Sequence, residues 1–203
     1  MAQAAALKSA REEFDHRARV LRDRLSDADF LANRGLGNEV GIYLFCYDPA
    51  LELEARDLVA RLVRESENGS LPCRLVERNL YDIMLKLCDE QRISAAIPRM
   101  EAKRGTQALL DQLRRTVSPG TFADALDYGP HEPGDVLIVT GVGEVYPLLR
   151  THALLDNVQH LFADVPLVVA YPGRFDGQAM RLFAGAESRG AEDGNYYRAF
   201  NLV

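Results

Sequence analysis

Thr140-Gly141-Val142-Gly143 is the stretch best placed to touch a ligand. This glycine pair lies directly behind the apolar run DVLIVT (135–140) and ahead of a helical pattern. Backbone amides at such a helix start can face an anion. The third glycine of a dinucleotide fingerprint is missing and the chain holds no Gly-Lys-Ser/Thr. Neither the pyrophosphate clamp nor the lysine and magnesium-binding hydroxyl of a nucleotide hydrolase is therefore supplied. The plainer reading is a tight turn needing positive φ at Gly141 or Gly143, with Glu144 near the positive end of the next helix dipole. Gly35-Leu36-Gly37-Asn38-Glu39 has a similar composition in the wrong order, because it precedes a strand rather than following one.

Carboxylates gather at predicted strand ends: Asp48, Glu144, and Asp176 beside the Pro172-Gly173-Arg174 loop. Two of them around a divalent ion would make a hydrolytic centre, yet capping demands the same residues at the same places and is the stronger reading. His16, His131, His152 and His160 offer one helical pair, His152 and His160, about 80° apart on an ideal helix. The sequence thus predicts neither metal nor cofactor. Cys46, Cys73 and Cys88 are widely spaced and odd in number, as reduced core cysteines of a cytoplasmic protein are. Arg150 and His152 fall on different faces of one helix, and local spacing assembles no Ser/His/Asp or Cys/His arrangement. Arg150 either docks a partner, and is exposed, or braces its helix against Asp176 or Glu39.

These residues need a scaffold. Leu7, Ala10, Phe14, Ala18, Leu21 and Leu25 recur at helical spacing among dense charges, which predicts an amphipathic helical arm over residues 1–33 packed on one α/β domain, 34–203. Strands are expected near 40–47, 73–80, 135–140 and 166–171, with helices at 51–65, 81–97, 106–117 and 144–162. DVLIVT and PLVVAY (166–171) are continuously apolar, as strands buried on both faces of a parallel sheet are. The fold class is therefore α/β: a mostly parallel central sheet flanked by helices, Rossmann-like without a functional phosphate-binding loop. Gln178–Phe183 reads as a short helix or strand, Gly185–Gly194 as a linker-like stretch, and Tyr196–Val203 as an edge strand.

The 203 residues suit one domain, and 47% hydrophobic with 27% charged residues is ordinary for a packed chain. A net charge of −6 disfavours direct DNA binding through many phosphate contacts. No apolar run approaches the roughly 18 residues that span a bilayer, and the Ala-rich start lacks an apolar signal core.

Three segments are familiar together: GLGNEV, then TGVGEVYPLLRTHALLDNVQH, then VPLVVAYPGRFDGQAMRLF leading to NYYRAFNLV. They resemble the BrxB family encoded in BREX bacterial phage-exclusion operons, from about Phe30 to the terminus. The Ala-rich N-terminus and the length of the Gly185–Gly194 stretch depart from that pattern. The resemblance implies a cytoplasmic protein acting with other BREX components, among them PglZ, an adenine methyltransferase and a large ATPase, with no membrane association. It carries over no catalytic set. The family-motif positions, and hence the candidate interaction residues, are Gly35, Gly37, Asn38, Glu39, Gly141, Gly143, Glu144, Tyr146, Arg150, His152, Gly173, Asp176, Tyr196, Tyr197 and Arg198. The expected role is a non-catalytic adaptor docking PglZ or the methyltransferase. The alternative is a small-ligand or nucleotide-binding domain, at most a weak hydrolase, built on the loops Gly141–Glu144 and Pro172–Gly177 at the sheet's carboxyl edge.

Overall fold

The computed structural model describes residues 2–33, 41–185, 189–196 and 198–202. In chain order the elements are α1 (Ala2–Arg24), α2 (Ala28–Leu31), β1 (Ile42–Tyr47), α3 (Glu52–Glu67), β2 (Arg74–Asn79), α4 (Leu80–Glu90) and α5 (Ile97–Arg104). There follow α6 (Thr106–Thr116), α7 (Pro119–Leu126), β3 (Asp135–Thr140), α8 (Val142–Val145), α9 (Thr151–Val158), β4 (Leu167–Phe175), β5 (Ala179–Leu182), β6 (Ala191–Asn195) and β7 (Ala199–Asn201). The sheet runs β2-β3-β4-β1-β7 with every neighbouring pair parallel, and β5 and β6 continue from β4 as an antiparallel hairpin.

Every residue of β1 and β3 is buried, which is why their sequences do not alternate: both faces carry a core. On one face Tyr43, Phe45, Tyr47, Ile138 and Val168 meet α1, α2 and α3. On the other Ile42, Leu44, Cys46, Leu137 and Val169 meet α4, α7, α8 and α9. The apolar stripe of α1 works as its spacing predicts, with Phe14, Leu21 and Leu25 buried and Phe14 edge-on to Phe45 at 5.9 Å. Arg11–Glu54 and Arg22–Glu65 ion pairs tie the helix and the residues beyond it to α3.

The expected strands form, with three differences of physical origin. β4 runs on past residue 171 because, beyond Pro172, its edge turns from parallel pairing with β1 to antiparallel pairing with β5. The helix expected over 144–162 is broken into α8 and α9 by the extended backbone at Tyr146. Part of the linker-like stretch is strand β6, since Asp193 faces inward and is fully buried. The three cysteines are free and buried, and burial pushes the Cys46 thiol up to about 12 and Cys73 up to about 11. Among the described residues no helix is long and apolar enough to cross a membrane.

At the amino ends of β2 and β3, the buried Asp135 accepts a two-pronged bond from Arg74 at 2.7 and 2.5 Å, a third from the Tyr128 hydroxyl at 3.2 Å and a fourth from the Glu132 amide. Burial raises its carboxyl pKa, but the Arg74 and backbone bonds outweigh that and hold it below the ordinary carboxylate range. A depressed folded-state pKa gives stability that is present above the unfolded value near 3.9 and lost as pH falls through the folded one. Asp135→Asn should therefore destabilise the protein at pH 7, with the deficit shrinking in acid. Urea unfolding of both proteins at pH 7 and about pH 3 checks this, and an equal deficit at both values would refute the linkage.

Candidate functional site

The two glycine-bearing motif segments meet at one corner, where the carboxyl ends of β3 and β4 face the β5–β6 hairpin. Gly141 begins it in the left-handed conformation, φ 77°, ahead of α8. A side chain there would put its first carbon 2.7 Å from Asn79 Oδ1, and Asn79 is itself occupied in accepting the first amides of α4 from Tyr81 and Asp82. Gly141 is therefore a tight turn that admits a neighbour's capping side chain. Gly143 leaves room for Phe183, whose ring edge would lie 3.0 Å from an added carbon. Glu144 pairs with Arg56 at 3.0 Å, and Arg56 also binds Glu52. With α8 only four residues long and its glycines packed against side chains, this turn makes no anion cradle.

Helix α9 is capped from a distance. Arg150 stands at its N-cap without capping through its side chain, and the role passes to Asp193, 42 residues beyond Thr151. The Thr151 amide donates to Asp193 Oδ1 at 3.0 Å and Oδ2 at 3.2 Å, and the Tyr171 hydroxyl donates to Oδ2 at 3.3 Å. His152 Nδ1 contacts the Asp193 carbonyl. A carbonyl only accepts, so Nδ1 carries the proton in the neutral ring. Burial raises the Asp193 pKa against the pull of its donors, and burial with the adjacent carboxylate raises the Tyr171 hydroxyl far above its usual range. Gly194 completes the arrangement: its φ is 106°, and any side chain would collide with the His152 ring.

The remaining motif residues hold the same corner. Arg150 is exposed and donates from Nη1 to the Glu192 carbonyl of β6 at 2.9 Å rather than to Asp176, and the other expected partner, Glu39, lies outside the described residues. Asp176 accepts the Gln178 and Ala179 amides at 3.0 and 2.7 Å, a turn that starts the hairpin, and those amides lower its carboxyl pKa. Gly173 lets β4 and β5 approach, since a side chain would strike the Arg181 carbonyl. Tyr196 is buried, while Arg198 is exposed and donates to Gln159 Oε1 at 2.7 Å. Gly35, Gly37, Asn38, Glu39 and Tyr197 lie outside the described residues.

A family model described as BREX protein BrxB matches residues 76–202, the stretch that contains this corner. The chain belongs to the BrxB family. Its BrxB relatives include a "BREX protein BrxB" of Bacillus cereus (strain H3081.97), 34% identical over 183 residues that cover 89% of this chain and 92% of the relative. A protein of the same description from Escherichia coli O9:H4 (strain HS) is 30% identical over 193 residues, covering 93% and 91%. No solved structure matches significantly. Of the placed positions, Arg150 and His152 join the start of α9 to the hairpin, while Gly141 and Glu144 meet Asn79 and Arg56.

Two residues outside the expected set matter at this joint. Asp193 sits in Glu-Asp-Gly, which reads as a polar turn, and only its pairing partners show it as a buried cap. Phe183 adopts φ 58°, which bulky side chains avoid, yet its ring is 38% exposed and stands edge-on to Tyr146 at 5.8 Å and 88°. Nothing in the run RLFAG marks it beforehand.

Proposed function

We propose that this BrxB-family chain serves BREX phage exclusion as a non-catalytic adaptor that docks another protein of the system, PglZ or the adenine methyltransferase. Phe183 carries the reading. A left-handed bulky residue costs about 1–2 kcal/mol, a strain that persists only where the surrounding structure over-determines it and that clusters at functional sites. Here it holds a large apolar ring at the surface, between Tyr146 and the Gly143 turn, whose next residue is the exposed Glu144. A rigid, partly exposed aromatic is the form of an interface anchor. The Thr151–Asp193 cap and the Asp176 turn fix the surface in advance, which lowers the ordering cost of binding.

The test is co-purification of tagged protein from cells carrying the intact operon, wild type against Phe183→Gly. Glycine relieves the left-handed strain, so the variant should melt within a few degrees of wild type while losing most of the bound BREX partner and the protection against phage. Full partner recovery by Phe183→Gly would dismiss this surface. Recovery of the wild-type chain with no BREX protein would dismiss the adaptor role itself.

A further inference from the structure

We infer that the crevice between β1 and β4 is a binding site for a nucleoside monophosphate, beside the docking corner, with which it shares Gly173, and independent of the adaptor reading. The two strands are neighbours whose outgoing connections part, β1 leading to α3 on one face and β4 to the hairpin on the other. Parallel α/β sheets bind ligands outside the carboxyl ends of such a pair. In this chain a cavity of about 430 Å³ lies there. Its floor is the end of β1, Cys46 to Asp48, one wall is Gly173–Phe175 of β4, and the other is the α1 face from Ala6 to Arg17. The volume falls in the range of small-ligand pockets and suits one mononucleotide.

Two guanidiniums, Arg17 and Arg174, line the cavity and can hold an anion. Arg17 lines the cavity with 19% of its side chain exposed, and it binds Glu13 through Nε and Nη2 at 3.1 and 2.7 Å. Its Nη1 is buried with no acceptor, an unmade bond that costs free energy. The Arg174 side chain, on the opposite wall, has no hydrogen bond or ion pair among the described residues. It is also paired directly across the β4–β5 ladder with Arg181, a like-charge juxtaposition that disfavours the strand pair unless an anion relieves it. A phosphoryl group between Arg17 and Arg174 supplies acceptors to both guanidiniums.

The rest of the lining selects the body of the ligand. Phe14, Tyr47 and Phe175 offer apolar and aromatic surface, while Asp48 and Asn201 offer polar groups for ring amines and sugar hydroxyls. Glu13 and Asp48 add negative charge that works against a second and third phosphate, so the monophosphate is favoured over the polyphosphates. The site differs from the Gly141–Glu144 turn, which is closed by Asn79 and Phe183.

Isothermal titration calorimetry of the full chain with AMP, adenosine and inorganic phosphate tests the site. AMP should bind at least tenfold more tightly than adenosine or phosphate alone. Arg174→Ala, at an exposed position, should weaken AMP at least tenfold, and Ala6→Phe should abolish binding by filling the cavity from α1, with both variants melting cooperatively. No heat from AMP at millimolar concentration, phosphate binding as tightly as AMP, or an affinity untouched by either substitution would overturn the assignment.

Discussion

Asp193→Ala should lower the unfolding free energy by about 2–4 kcal/mol, the sum expected when a buried amide and a buried hydroxyl lose their acceptor. The Thr151 amide at the start of α9 and the Tyr171 hydroxyl inside β4 both end on this carboxylate, and none of the three groups is open to water. Asp193→Asn keeps an oxygen for the amide and should cost far less. The two variants also separate capping from charge. Because burial raises the folded-state pKa of Asp193, its contribution to stability is greatest below the unfolded value near 3.9 and declines as pH rises toward the folded one. Wild type minus Asp193→Asn, followed by urea unfolding from about pH 3 to pH 7, should therefore fall with rising pH. A difference that rises with pH would mean the donors outweigh burial, and an Asp193→Ala protein as stable as wild type would remove the cap from the account.

Local pattern carried most of the scaffold and little of the corner. DVLIVT and PLVVAY announce doubly buried parallel strands because each residue has to be apolar when both faces are covered, and the α1 stripe announces its buried face by spacing. The α8–α9 break was hidden inside a helix-compatible run, since YPLL interrupts the helix through the backbone at Tyr146 rather than through a change in hydrophobicity. Asp193 was invisible for a different reason: its partners lie 42 and 22 residues away, and a long-range cap has no local signature. The crevice was half legible. The Pro172–Gly177 loop was expected at a ligand edge and Gly173–Phe175 does line the cavity, but the opposite wall is α1, whose polar face reads as solvated surface.

This division bears on how the motif is understood. Gly141, Gly143 and Gly173, like the neighbouring Gly194 outside the motif, each sit where a side chain would strike a neighbour, and Arg150, His152 and Asp176 each bind backbone. Residues of that kind set the position of a surface rather than react on it. The corner they build presents Phe183 at the surface.

Removing residues 1–26 should leave a chain that does not hold its native fold at 25 °C. Phe14, Leu21 and Leu25 are buried against the β1–β3–β4 face, and burial of each contributes about 1.5–3 kcal/mol, together roughly 4.5–9 kcal/mol against a typical total of about 5–15. The deletion also uncovers Phe45 and Tyr47 at the carboxyl end of β1, which Phe14 covers edge-on at 5.9 and 6.4 Å. The expected readouts are loss of the cooperative urea transition and a gain in binding of an apolar dye. Phe14→Ala, removing one anchor only, should cost about 3–5 kcal/mol while keeping a single transition. A separable docking arm predicts the opposite: a truncated chain that melts as wild type does and fails only to recover its partner. Melting and partner recovery measured on the same truncated protein therefore decide whether the charged helix is a wall of the core or an appendage to it.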